Sequence, residues 1–282
     1  MMVTELNHKM VLDILPDRDP WGHKGSFGKI LLLCGSRGFT GAAYLAAMGA
    51  LRSGAGLVFL GVPENIYAIE AVKLNEPVVF PLPDFDGCLA VSAIEEILRR
   101  LPQMDAVLIG CGIGQSEGTA AVVKAVLENA KCPVVVDADG ITVLKPHKDI
   151  LRGRAYPTIL TPHDGEFLRF GGTIGEDRMV SCVEFAREWN SIVLLKGHRT
   201  CISDGTMCYR NTTGNPGMAV GGSGDVLAGI ITGLLGQGIV PLEAAACGAW
   251  IHGAAGDACA EELGQYGMLP TDMLNVLPRL LK

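Results

Sequence analysis

Short apolar runs alternate along this chain with longer periodic stretches. The runs at 29–34, 57–61, 77–80, 105–109, 133–136, 158–161 and 191–195 are nearly continuous in apolar residues and too short for helices, as strands covered on both faces are. Helical spacing follows at 42–53, 64–72, 91–101, 119–129, 176–189, 226–235, 241–262 and 271–281, and a lead-in helix is expected over 4–15, ended by Pro16 and Pro20. Residues 201–209 read as a hairpin turning at Asp204 and Gly205. Strand, turn and helix in alternation predict an α/β fold, a central and mostly parallel sheet with helices on both faces. No Pro/Ser/Gly linker, repeat or low-complexity tract interrupts the pattern, so residues 1–282 are expected to form one domain.

The stretch 211–238 carries the clearest chemistry. It narrows to Gly221, Gly222, Ser223, Gly224 and Asp225 and runs straight into Val226, Leu227, Ile230, Ile231, Leu234 and Leu235, one face of a helix. A glycine loop at a helix start offers unpaired N–H groups and the positive end of the helix dipole to an anion. A carboxylate there would repel a phosphate unless it receives a proton from a hydroxyl attacking that phosphate, so Asp225 points to phosphoryl transfer to an alcohol. The plainer reading is that Asp225 caps the helix. Gly229, Gly233 and Gly236 fit close packing against another element.

Charge and composition narrow the partners. A net charge of -7 gives no basic field for nucleic acid or an anionic membrane, so the expected partner is a small molecule. The nine cysteines are scattered without a CxxC pair, which argues against a disulfide framework or a structural zinc site and suits a reducing cytoplasm. No signal-peptide pattern opens the sequence, and no apolar run is long enough to span a membrane.

Further candidates stand at strand ends. The segment 21–28, with His23 and Lys24, reads equally as a solvated approach to the first strand or as a lid. The small residues Ala42, Ala43, Ala46, Ala47 and Gly49 after the turn at 35–41 would let a helix approach the sheet closely or admit a flat ligand. Gly110, Gly112 and Gly114 imitate a dinucleotide fingerprint but lack its last spacing, and no acidic residue stands where a ribose hook needs one, so a dehydrogenase is the weaker reading. Asp137 is a candidate for orienting a metal or a sugar hydroxyl, and Asp139 is expected to cap the next helix. His163 is expected over the sheet edge with Glu166 on the same helix face, and Lys196 with Thr200 suits a phosphate clamp.

Taken together, GHKGSFG, TGAA, GCGIG, VVDADGI, LTPHDGEF, LKGHRT and NTTGNPGMAVGGSGD resemble, in order and over residues 22–282, the ADP- or ATP-dependent NAD(P)H-hydrate dehydratases, which have the ribokinase-like fold. The resemblance implies metabolite repair of the (S) epimer of hydrated NADH or NADPH: a nucleotide phosphorylates the ring hydroxyl, phosphate leaves, and ADP gives AMP. It implies Asp225 as base, Gly222, Ser223 and Gly224 as anion hole, and Ala43, Gly114, His163 and Asp225 around the hydrated cofactor. Lys196, Gly197, His198, Arg199, Thr200 and Gly224 would hold the nucleotide. It further implies Mg2+, with no ligand assigned and with Glu166 or Asp137 as residues able to act on it through water, and a homo-oligomer, a tetramer. The epimerase domain fused to some members is not in this sequence, so action on one epimer is expected. The chain departs from the family at Asp164, where Pro is usual, at Ser223, where Thr is usual, and at Gly140, often Ala.

Two alternatives use the same motifs: a kinase for a hydroxylated heterocycle such as a vitamin precursor alcohol, and a silent nucleotide-binding sensor. The helix start and neighbouring cations are expected to depress the Asp225 pKa, leaving an ionised but weak base that takes its proton late.

Overall fold

The computed structural model describes residues 3–281. In chain order the strands are β1 (Val3–Glu5), β2 (Lys29–Leu33), β3 (Leu57–Pro63), β4 (Val78–Leu82), β5 (Asp84–Phe85), β6 (Cys88–Leu89), β7 (Ala106–Ile109), β8 (Val134–Val136), β9 (Thr158–Leu160), β10 (Ile192–Leu195), β11 (Cys201–Ser203) and β12 (Cys208–Arg210). The helices are α1 (His8–Ile14), α2 (Thr40–Arg52), α3 (Glu64–Lys73), α4 (Ile94–Arg100), α5 (Glu117–Asn129), α6 (Asp139–Leu144), α7 (Ile150–Gly153), α8 (Asp164–Phe170), α9 (Arg178–Glu188), α10 (Ser223–Gly236), α11 (Pro241–Leu263) and α12 (Pro270–Leu280). Ten strands form one sheet in the order β1-β12-β11-β10-β9-β8-β7-β2-β3-β4. The strands from β10 across to β4 pair in parallel, and the hairpin β11–β12 adds the antiparallel pairs.

Successive residues of β2 feed opposite layers, which is why its apolar run is continuous. Ile30 and Leu32 pack with α2, α10 and α11, whereas Leu31 and Leu33 pack with the layer of α5, α8 and α9. The glycines of α10 pack as the spacing predicts, but the small residues of α2 meet a helix before they meet the sheet. A Cβ on Gly229 would stand 2.2 Å from Ala46 O, one on Gly233 2.6 Å from Ala50 O, and one on Gly49 2.7 Å from Val226 O. The two helices thus cross backbone against backbone. That contact presses the start of α10 onto the C-terminal ends of β7 and β8.

Three expectations need correction. The lead-in is not one helix: β1 joins the sheet beside β12, and Asn7 caps α1 by accepting from Met10 N at 3.0 Å. Strand β4 continues past Phe80 through Pro81, which its place at the sheet edge permits. The segment 21–28 is not a lid over the strand C-termini. It lies at the start of β2, where a Cβ on Gly28 would meet Gly236 O at 2.1 Å and Gly56 N donates to Phe27 O at 2.9 Å.

Candidate active site

Five parallel strands, β2 and β7 to β10, end along one edge, and the ends of β7, β8 and β10 bring Cys111, Asp137 and Lys196 to the first turn of α10. Gly110 turns the chain out of β7 with φ of 133°, and a Cβ there would fall 1.9 Å from Asp137 O, so only glycine lets the ends of β7 and β8 lie this close. Asp137 emerges from β8 into the space so defined, only 2% exposed. Its Oδ1 accepts from Thr161 Oγ1 at 2.6 Å and from Lys196 Nζ at 2.9 Å, and its Oδ2 accepts from Cys111 Sγ at 3.6 Å. Burial works against the Lys196 charge, but Asp137 and Glu166, whose Oε2 is 3.8 Å from Nζ, outweigh it and lift the ammonium above its ordinary pKa. Lys196 is therefore a fixed positive charge at the sheet edge, and His163 and Lys196 pair as a bridge across it.

Helix α10 brings its N-terminus to this ion pair. Gly222 precedes it in the left-handed region with φ of 97°. Ser223 N donates to Val220 O and Val226 N to Gly222 O, and among the described residues no protein acceptor takes Gly224 N or Asp225 N. Gly224 faces the site: a Cβ there would lie 3.4 Å from Lys196 Nζ and 3.9 Å from Asp137 Oδ2. Two free amides, a helix dipole and one ammonium thus converge on the same spot, an arrangement that receives an anion.

Asp225 is a member of the first turn and not its cap. Its carboxylate lies within 4.8 Å of Asp137 and Cys111. Burial, followed by repulsion from Asp137, pushes its pKa up to about 7, against the opposing pull of Cys111 and Lys196. The expected depression is therefore overturned. Desolvation on the sheet edge and a second carboxylate outweigh the helix start and the lysine, leaving a base matched to neutral pH.

The other candidates surround this centre. Asp139 does not cap α6, because Ala138 occupies the cap with φ of 49°; its carboxylate accepts instead from Gly114 N at 3.0 Å and Gln115 Nε2 at 2.8 Å, shaping the GCGIG loop. Gly114 lines that loop with φ of 76°. Ala43 is fully buried against the turn at Gly35, so it supports the floor of the site. His163 caps α8: Nδ1 accepts from Gly165 N at 3.0 Å and Glu166 N at 3.3 Å, which leaves Nε2 as the N–H, half exposed at the rim. Gly197, His198 and Arg199 form an exposed turn closed by Thr200 Oγ1, which donates to Gly197 O at 2.9 Å. Arg178, unremarked in the sequence, ties the two loops together by pairing with Asp164 and donating to Lys196 O. Thr161, Cys111 and His252 also escaped notice. The buried His252 has Nε2 3.3 Å from Ser223 Oγ, and burial lowers its pKa to about 4, so it stays neutral under α10. No motif marks a histidine within an alanine-rich helix, though its polarity amid small apolar residues was the available signal.

The cluster of Cys111, Asp137 and Asp225 has ligand-like spacing but does not fit magnesium. A buried thiol is soft, Asp137 is committed to Lys196 and Thr161, and Mg2+ requires a shell of hard oxygens.

The family model for NAD(P)H-hydrate dehydratase matches residues 30–279, which takes in every element of this site. The chain belongs to the NAD(P)H-hydrate dehydratase family. Among members, a bifunctional NAD(P)H-hydrate repair enzyme, Nnr, of Moorella thermoacetica is 46% identical over 95% of this chain and 52% of its own length. The ADP-dependent (S)-NAD(P)H-hydrate dehydratase of Bacillus subtilis is 36% identical over 95% of this chain and 94% of its own. The chain thus spans about half the length of the bifunctional relatives and nearly all of the Bacillus enzyme. The crystal structure of the Bacillus dehydratase, co-crystallised with ATP/Mg2+, superposes with a TM-score of 0.86 at 32% identity, covering 99% of this chain and 98% of that one. A ribokinase-like superfamily protein of Enterococcus faecalis gives the same TM-score at 27% identity, covering 99% and 95%. The fold of this dehydratase family member is accordingly ribokinase-like.

Proposed function

We propose that this chain restores hydrated NADH and NADPH, acting on the (S) epimer with ADP or ATP as phosphoryl donor. The observation that carries the reading is the meeting of the free Gly224 and Asp225 amides with Lys196 beside a carboxyl poised near neutrality. In the proposed sequence the ring hydroxyl oxygen attacks the terminal phosphorus of the nucleotide. Its proton passes to Asp225 as the bond to the departing nucleotide breaks, so that ADP leaves as AMP. The phosphate ester then breaks at its carbon–oxygen bond. Loss of inorganic phosphate from one ring carbon and of a proton from the next regenerates the dihydropyridine. Hydroxide is a poor leaving group and phosphate a good one, which is what the nucleotide supplies.

Roles follow from position. The Gly224 and Asp225 amides and Lys196 would stabilise the migrating phosphoryl group, the Ser223 amide expected there being bound to Val220 O instead, in a water-poor setting where such contacts are strong. Gly197, His198, Arg199 and Thr200, exposed beside Lys196, would hold the nucleotide. Gly114, His163 and the Ala43 floor would hold the hydrated ring near Asp225, with His163 next to Lys196. Magnesium would arrive on the nucleotide phosphates, with no side chain of this chain assigned to it. Among the described residues no helix is long and apolar enough to cross a membrane. The nine free cysteines support a reducing cytoplasm, and exposed Leu263, Tyr266 and Leu269 between α11 and α12 support subunit packing, with a homotetramer the assembly that the family resemblance implies.

Incubation with hydrated NADH and each nucleotide tests the reading. Phosphate release in step with recovery of the NADH absorbance is expected. A stable phosphate ester would favour a small-molecule kinase, and nucleotide binding without turnover a silent sensor. Asp225→Asn should lose at least about 100-fold in rate, the scale of general-base effects.

A further inference from the structure

The thiol beneath the two carboxylates has no place in the mechanism so far. Cys111 is fully buried and pinned by its own backbone, whose carbonyl accepts from Gly35 N at 2.8 Å. Its Sγ approaches Asp137 Oδ2 at 3.6 Å and lies within 4.8 Å of the Asp225 carboxylate. Asp137 already has Thr161 and Lys196 on its other oxygen. Asp225 is less well supplied, since among the described residues no backbone or side-chain N–H or O–H donates to it. A thiol proton shared between the carboxylates is the one hydrogen bond available to orient the acid that must meet the substrate hydroxyl.

We propose that Cys111 is a positioning residue, which turns its S–H toward the Asp137–Asp225 pair and holds the Asp225 carboxylate at the start of α10 in line with the entering hydroxyl. The proposal rests on the reading of Asp225 as the base. A hydrogen bond to an ionised carboxylate favours that form, so the thiol also offsets part of the repulsion from Asp137. The other groups around the pair are accounted for. Cys34 from the end of β2 lies against Cys111, and Asp139 stands at the start of α6. Glu166 from α8 is held by His163 N and neighbours Lys196, and neutral His252 from α11 reaches Ser223. Among these, Lys196 is a fixed charge and Cys34 is a second thiol beside Cys111, so substitution at 111 removes the thiol nearest Asp225 and leaves the other groups in place.

The test is the pH dependence of kcat/KM for the hydrate at saturating nucleotide, compared across wild type, Cys111→Ala, Cys111→Ser and Asp225→Asn. Comparison between variants cancels the titration of the nucleotide itself. Loss of the donor should move the acid limb upward by roughly half to one pH unit in Cys111→Ala, with kcat reduced and the nucleotide KM little changed. The serine hydroxyl, a better donor, should move the limb below the wild-type position. A void under the sheet edge would lower the rate at every pH and leave the limb in place. An unmoved limb in both variants, with Asp225→Asn inactive, overturns the proposal alone. Turnover surviving in Asp225→Asn overturns the reading of the base and this inference with it. Should the alanine variant fail to fold, the serine variant decides, because a limb that does not move downward contradicts the role.

Discussion

Removing the acid at the start of α10 should make the protein more stable. The Asp225 carboxyl is shifted from an ordinary 3.8 to about 7, by burial first and by Asp137 second. The folded state therefore holds a proton that the unfolded chain releases. Below pH 3.8 the group is protonated in both states and carries no penalty. As pH rises from 3.8 to 7 stability falls, and above 7 the full penalty of an ionised carboxylate beside Asp137 is present. About three pH units correspond to a ceiling on the order of 4 kcal/mol. The shift to about 7 already contains the pulls of Cys111 and Lys196, and an amide keeps an oxygen that can accept the thiol proton; with about half of the ceiling removed by solvent screening at this partly exposed side chain, a net gain of about 2 kcal/mol is the working expectation for Asp225→Asn at pH 8. For a protein of this size that raises Tm by roughly 5 °C, from about 2–4 °C per kcal/mol in large domains. Thermal unfolding followed by circular dichroism at pH 8 and pH 4.5 measures it. The gain should shrink to about a quarter at the lower pH. No gain at pH 8, or an equal gain at both, would refute the assignment of a strained carboxyl.

Other consequences are accessible with standard assays. Wild-type kcat/KM should fall on the acid side of about pH 7 as Asp225 is protonated, measured by phosphate release across pH 5–9. Lys196→Met leaves Asp137 buried without its cation and should cost about 3–5 kcal/mol by denaturant titration, together with loss of nucleotide turnover. Gly229→Val would drive a side chain into the Ala46 carbonyl, so a loss of about 3 kcal/mol or more and a lowered urea midpoint are expected. Of the nine thiols only Cys88 has appreciable exposure, so a colourimetric thiol reagent should titrate at most one in the native protein and all nine after unfolding.

The α/β layering was legible because strands buried on both faces leave continuous apolar runs, as 29–34 and 105–109 do. The short β1 and the β5–β6 hairpin were not, because three or two residues leave no period to count. The turn before α10 was legible for a chemical reason: three glycines and an acid at a helix start suit an anion and a proton acceptor. What the sequence hid was the sheet edge as a shared environment. Asp137, Thr161 and Lys196 are separated along the chain by whole βα units, and only the parallel register sets them around one carboxylate. The same distance explains the mistaken expectation for Asp225. Its near neighbours in sequence are helix amides that favour ionisation, whereas the stronger influences are burial against the sheet and a carboxylate delivered by β8. Asp139 shows the converse error, since a plausible local cap was drawn instead to Gly114 on a neighbouring loop.

The claim on which the account turns is that the migrating phosphoryl group sits in the mouth of α10. The most direct measurement is a crystal structure with ADP or a non-hydrolysable ATP analogue bound. The account predicts terminal phosphate oxygens within hydrogen-bond distance of the Gly224 and Asp225 amides and of Lys196 Nζ, with the Asp225 carboxylate turned toward the hydroxyl pocket. A terminal phosphate seated elsewhere, with those amides facing only water and Lys196 still closed on Asp137 alone, would contradict it.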